Sequence, residues 1–351
     1  MSFEDFLAAI AVVVNGLPQG LLALSFGFAA FPTALAFLAG IVGMLFFAQV
    51  APISFQAESI VLAGSMGKNR EERLNIVFYT GIAMALIGGI GLLQPTIDFI
   101  GPAILNGMMA GVGITLAKVG VDMTRQNVWV GGVSILTAFV VYFMSENLVY
   151  TIVTSVFVSS LVSLLMQKGN ASIKNTSNLE NEKLIPLKPS CNFNIIRSVL
   201  ALVTLQIGGN IAYASITGKL ANKATNVDYV TLYSGVGDAI SAFWGGGPVE
   251  AIISGTAVAP DPQVAGVVMM MIMAVILFAR LLPKVAGFVA SETIAGFLLV
   301  LGAVVVFPAN IKEGLAVAPI ISSITAIITA TTDPFLGMVA GVLVRSLTII
   351  F

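Results

Sequence analysis

Apolar runs recur along almost all of this 351-residue chain, and no soluble fold accommodates them. Hydrophobic residues make up 58% of it before its 35 glycines are counted, while charged residues make up only 9%. An ordinary soluble domain is about 25% charged. A soluble globule of this length cannot hide so much apolar surface, because many of its residues must meet water. The solvent for most of this chain is therefore lipid, which predicts an all-α polytopic membrane protein.

Composition removes several chemistries. There is no histidine, which excludes histidine-based triads, metal sites and pH sensing. Cys191 is the single cysteine, so no internal disulfide or thiolate cluster forms. The net charge is −1 with no basic block, which argues against a nucleic-acid partner. An aspartyl intramembrane enzyme needs two facing Asp residues, and the intramembrane supply is essentially Asp238. No enzyme and no cofactor are expected. The acidic start Met1-Ser2-Phe3-Glu4-Asp5 lacks a signal peptide's positive region, which predicts synthesis directly into a plasma membrane.

One polar segment, residues 168–193, interrupts this texture and reads as a flexible surface loop. It separates blocks 1–167 and 194–351, which align weakly. A shift of 196 residues places Phe47 on Phe243 and Pro52 on Pro248, and a shift of 189 places Gly107 on Gly296. Spans are predicted near 5–28, 30–50, 56–66, 74–94, 99–118, 127–144 and 148–167. In the second block they fall near 196–218, 227–243, 250–260, 264–283, 291–307, 315–331 and 333–350. Seven spans per repeat, an odd number, force the repeats into opposite orientation. The third span of each is too short to cross a bilayer, at about 11 residues against the ~20 required.

Each short span follows a helix-breaking stretch, Ala51-Pro52-Ile53-Ser54-Phe55 or Gly245-Gly246-Gly247-Pro248-Val249. Broken helices at matching places in inverted halves mark a transporter's binding site, because unpaired backbone at membrane depth must line a cavity or be buried in protein. Both breaks carry acids, Glu58 and Glu250. A carboxylate at the bilayer centre costs about 2.5–3.5 kcal/mol and is usually functional. Each also reads as capping the start of its own short helix. Gln206 and Asn210 share a face of span eight, as cavity lining or as interhelical hydrogen bonds. Asp238 reads as interfacial or paired, and Ser291-Glu292 as a helix cap.

Phe243-Trp244-Gly245-Gly246-Gly247-Pro248, followed six residues later by Ser254, resembles the tenth-span signature of the nucleobase–ascorbate transporters, the family of uracil and xanthine permeases. SGVGDAISAFWGG, LQIGGNIAYASI and PISFQAESI are similar to other spans of that family. The resemblance implies a 7+7 transmembrane inverted repeat, uracil-permease-like, with interleaved core and gate domains. It implies short β-strands before the two interrupted helices, flanking the substrate, and proton- or Na+-coupled nucleobase uptake. The candidate binding residues are then Ser54, Phe55, Gln56 and Glu58 at the first break and Gly247, Val249, Glu250 and Ser254 at the second. Gln206 and Asn210 join them, with Glu58 and Glu250 carrying the coupling proton. The family's span-eight and span-ten acids fall here on Leu205 and Ser254. A small-anion transporter of the same fold is the alternative, and acids without a nearby cation argue against it. Sidedness stays open, since the basic loops favour the side opposite to the one the resemblance implies. A homodimer is left open too.

Overall fold

Proline and glycine at the ends of apolar runs set the element boundaries. The computed structural model describes residues 2–167, 182–286 and 290–350. The first half comprises α1 (Phe3–Ser25), α2 (Ala30–Phe46), β1 (Ile53–Ser54), α3 (Ala57–Met66), α4 (Arg70–Gly89), α5 (Leu93–Ile100), α6 (Pro102–Gln126), α7 (Val128–Ser145) and α8 (Leu148–Gln167). The second comprises α9 (Phe193–Leu220), α10 (Val227–Phe243), β2 (Glu250–Ala251), a 3-10 turn (Gly255–Val258), α11 (Pro262–Phe278) and α12 (Leu281–Ala286). It continues with α13 (Ala295–Val300), a π-helical stretch (Leu301–Val306), α14 (Phe307–Val317), α15 (Pro319–Thr331) and α16 (Pro334–Ile350). The halves repeat in order, down to the short α5 and α12. This is the all-α 7+7 inverted repeat of the uracil-permease-like fold, in a multi-pass membrane protein. Among the described residues, five helices, α1, α6, α7, α9 and the stretch Glu292–Val317, are long and apolar enough to cross a bilayer on their own length.

The predicted third span of the second half is not a helix. Residues 250–260 begin as a strand and continue as one 3-10 turn, so Glu250 lies in β2 and not at a helix start. Side chains of α9 capture the backbone groups that a helix would have used. Ala251 N–H donates to Asn210 Oδ1 (3.1 Å), Thr217 Oγ1 donates to the Ile252 carbonyl (2.8 Å), and Ser254 N–H donates to Thr217 Oγ1 (3.2 Å).

The helices fall into two compact units, each drawn from both halves. One comprises Met1–Thr96 with Ser177–Lys284, the other Ile97–Thr176 with Val285–Phe351. In the first unit α4 and α10 cross with their backbones touching. A Cβ built on Gly235 would lie 2.4 Å from the Ala85 nitrogen, and one on Gly81 2.4 Å from the Ala239 nitrogen. Gly16, Gly20 and Gly40 similarly let α1 and α2 close on Ser54, Phe55 and Ile53. In the second unit, Gly113 meets Gly302 in the π-helical stretch, just before Pro308, whose missing N–H interrupts the ordinary ladder.

Residues 168–181 of the expected linker lie outside the described residues; 182–192 depart from a free surface loop. The amide of Leu187 donates to the Phe243 carbonyl (2.6 Å), and that of Ser190 to Asn75 Oδ1 (2.8 Å). The buried Glu182 carboxylate accepts from the Ala30 and Phe31 amides at 2.9 and 2.6 Å. Those amides open α2, whose N-cap Ala29 has no side chain to cap them. Nearby, Arg70 donates to the Gly27 and Gly245 carbonyls and Arg73 to those of Phe26 and Gly67. Two guanidiniums thus meet the negative ends of α1, α3 and α10.

Replacing Gly235 by Val is expected to destabilise the protein by more than about 3 kcal/mol, beyond ordinary overpacking because backbone is what a side chain would strike. Gly132 in α7 faces open space, so Gly132→Ala is expected to be neutral or to stabilise by about 0.5–1 kcal/mol. Thermal unfolding in detergent compares the two.

Candidate functional site

Every candidate binding residue read from the sequence lies in the first unit, around the two broken segments. α2 ends at Phe46, Ala48 at φ +51° turns the chain into the extended stretch that holds Pro52, and Gly245, at φ +100°, turns the chain out of α10 in a conformation that favours glycine. The extended pieces that follow run antiparallel, with Ile53 opposite Ala251 and Ser54 opposite Glu250. Two residues from each repeat therefore supply each other's backbone bonds. Gln56 adds a bond from Nε2 to the Ala251 carbonyl at 3.3 Å.

The stretch leading into β2 is held by α10 and α2. Ser234, Asp238 and Ser241 lie along one stripe of α10. Asp238 Oδ1 accepts from the Val249 amide (2.6 Å), and the hydroxyls of Ser234 and Ser241 donate to the Val249 and Gly247 carbonyls. Thr33 Oγ1 accepts from the Gly247 amide at 2.8 Å. Gly247 and Val249 are thus committed to holding the break in shape. Asp238 is fully buried and not interfacial; its second oxygen accepts from Gln206 Nε2 at 2.9 Å. Gln206 and Asn210, one turn apart on α9, brace the second break from the other side.

Several polar atoms near the strand pair have no partner among the described residues. They are Ser54 Oγ, Glu58 Oε2, Ser59 Oγ, Gln206 Oε1, Asn210 Nδ2 and Glu250 Oε2, all buried. Orphaned buried polar atoms are rare and costly, at about 1–3 kcal/mol each, and here they are concentrated around the strand pair. Glu250 Oε2 lies close enough to α9 that a Cβ on Gly209 would sit 3.6 Å from it. Glu58 is in the first turn of α3, facing its own amide and the Tyr213 phenol. The α3 N-cap, Gln56, makes no side-chain cap bond. Glu58, Glu250 and Asp238 are near enough for Glu250 to feel both other charges. Among the described residues there is no group of three or more acidic or cysteine side chains placed to hold a metal ion.

Two candidates have other partners. Ser254 caps the 3-10 turn, its Oγ accepting from the Thr256 amide (3.2 Å) and lying 2.7 Å from Thr256 Oγ1. The Phe55 ring is enclosed, edge-on to Phe37 at 5.6 Å and against Gly20. Asp238 and Tyr213 belong to the site neighbourhood although the sequence reading did not place them there. The one available signal was an aspartate inside the apolar span SGVGDAISAF.

No family model and no curated protein matches the sequence. Solved structures do match. The transmembrane domain of a cyanobacterium bicarbonate transporter, BicA, aligns at TM-score 0.70 and 14% identity over 97% of this chain and 98% of that one. The overall structure of SLC26A9 aligns at 0.71 and 12% over 99% of this chain and 65% of that one. The murine Slc26a9 anion transporter in the inward-facing state aligns at 0.68 and 13%, over 99% and 68%. These likenesses give the fold, and they overturn the assignment to the nucleobase–ascorbate transporters. The physical reason lies in the motif itself. FWGGGP encodes the end of α10 and the positive-φ turn into an extended segment, which is backbone geometry that the shared fold requires whatever it carries.

Asp238→Ala is expected to leave the Val249 amide and Gln206 Nε2 unpaired and to cost about 3 kcal/mol or more in thermal stability. Asp238→Asn is expected to cost far less. Its carbonyl oxygen still serves Val249, and a flipped Gln206 amide presents an oxygen to its NH2.

Proposed function

We propose that this protein is a secondary transporter of a small anion, which it moves by alternating access in company with a proton or another monovalent cation. The site is the strand pair of the first unit with α3 and the α9 face carrying Gln206 and Asn210. The observation that carries the proposal is the buried, partly unpartnered carboxyl pair, Glu58 and Glu250, beside a helix start without a side-chain cap, in a fold shared end to end with the transmembrane domain of a bicarbonate transporter.

The α3 amides favour negative charge through the helix dipole and their unused hydrogens. The carboxylates oppose it. Two unit charges 4 Å apart repel by about 4 kcal/mol at an effective dielectric of 20. An anion therefore enters readily only when the carboxyls are neutralised. A protonated carboxyl also offers an O–H donor where a carboxylate offers none. The acids that seemed to argue against an anion become the coupling device: Glu58 and Glu250 take up the cation, Gln206 and Asn210 orient the substrate, and Ser54 lends its free hydroxyl. The first unit carries the site and, in this reading, forms the core domain, with the second unit as the gate.

Flux into proteoliposomes tests the reading with bicarbonate, sulfate, chloride and small carboxylates. Uptake of at least one of them is expected, driven by an inward proton or sodium gradient. For proton coupling it rises as external pH falls. Glu250→Gln and Glu58→Gln are each expected to abolish the gradient's effect. Anion uptake indifferent to both gradients and both substitutions would sink the proposal, as would uptake of uncharged solutes alone.

A further inference from the structure

The loop after α9 forms a polar pocket at the helix end, beyond Thr217, which holds the Ile252 and Ser254 backbone. α9 has 28 residues, so it runs about 42 Å at 1.5 Å per residue, well beyond a hydrocarbon core of about 30 Å. Such a helix reaches past the hydrocarbon core at one end or both. Aromatic residues beside the loop after its C-terminal end argue for headgroup level there: Phe47 stacks on Tyr229 at 4.4 Å, and Phe46, strongly exposed, packs edge-on to Phe47. The loop is tied to these elements, since the Asn226 amide donates to Gln49 Oε1 at 2.8 Å and the Asn226 side chain caps α10.

Within the loop, Asn222 adopts φ +51°, a left-handed conformation that asparagine tolerates, and folds the chain back. Thr225 then seats against Gly218, so closely that a Cβ there would lie 2.2 Å from Thr225 Oγ1. The fold-back leaves an open pocket of about 440 Å³, lined by Ser215, Lys219, Asn222, Lys223 and Thr225 among others, with no acid in its wall. Thr225 Oγ1 is buried and has no partner. Helix capping does not account for the lysines: the Thr217, Gly218 and Lys219 carbonyls already accept from the amides of Ala221, Lys223 and Asn222.

We propose that this pocket binds the phosphate headgroup of an anionic phospholipid. Two ammonium groups, a hydroxyl donor and an amide supply the charge and hydrogen bonds that a phosphate takes. Exposed Ile216 and Leu220 follow Ser215 and Lys219 on the same two turns of α9 and put apolar side chains on the helix face next to the one that lines the pocket. A lipid uses both features, its headgroup in the pocket and an acyl chain along the apolar side chains, whereas a free oxyanion uses only the first. The inference is independent of what the strand-pair site carries.

Thermal-stability titrations of the purified full-length protein in one detergent test it, with short-chain phosphatidylglycerol, short-chain phosphatidylcholine and inorganic phosphate as probes. Phosphatidylglycerol is expected to stabilise the protein and the other two not. The Lys219→Gln/Lys223→Gln variant is expected to weaken that apparent affinity by roughly 30-fold, about fivefold for each lysine near an anionic lipid. Lys68→Gln/Lys188→Gln, which removes the same charge elsewhere, is expected to leave it unchanged. Should the double variant not fold, Ala224→Glu supplies the same reading by placing an acid in the pocket. Equal stabilisation by phosphatidylcholine, reproduction of the shift by phosphate alone, or an equal loss in the control variant would each overturn the proposal. So would undiminished phosphatidylglycerol binding in the pocket variants.

Discussion

Backbone that leaves a helix inside a membrane protein must find partners without water, and here two such breaks find each other. β1 and β2 come from opposite repeats, and each is two residues long. Neither can stand alone, since a lone strand of that length leaves donors and acceptors unpaired at a cost of several kcal/mol. The surrounding architecture follows from this pairing. Gly16, Gly20 and Gly40 exist where α1 and α2 must approach β1, and α10 turns a stripe of Ser234, Asp238 and Ser241 onto the segment leading into β2. With the backbone satisfied there, the side chains of Ser54, Glu58 and Glu250 are left with buried atoms unspent.

Much of this was legible in the sequence because the decisive residues act locally. Pro52 and the run Gly245–Pro248 cannot continue a helix, so both breaks announce themselves, and charge inside an apolar run exposes Glu58 and Glu250. Most span ends fell close to the helices for the same reason, whereas the spans predicted at 99–118 and 291–307 stop eight and ten residues short of the ends of α6 and α14. What failed depends on contacts distant in sequence. Residues 250–260 read as a short helix by analogy with α3, but Asn210 and Thr217 of α9 take their backbone groups instead. The cap of α2 is supplied by Glu182, 152 residues away in a segment whose composition reads as loop. Asp238 was visible as an oddity, yet only the fold shows that it holds the Val249 amide.

Substrate identity illustrates a different limit. The motif that pointed to nucleobase permeases is made of glycine, proline and aromatics, which specify how the chain bends. What this chain shares with the solved anion-transporter structures is the fold. At the positions where the resembled family keeps its acids, Leu205 is buried core and Ser254 caps a turn, while Glu58 and Glu250 carry the buried carboxyls around the strand pair. Fold and substrate are thus written in separate residues: the fold was read correctly, and the nucleobase family was not.

The central claim is that an anion binds at the strand pair only as the carboxyls there are neutralised. Cation uptake on anion binding measures it most directly, with a pH indicator in weakly buffered detergent solution and a parallel titration in sodium. The account predicts about one proton or one sodium ion taken up per anion bound, abolished in Glu250→Gln. Anion binding of the same strength with neither cation taken up, in the native protein and the variant alike, would contradict it.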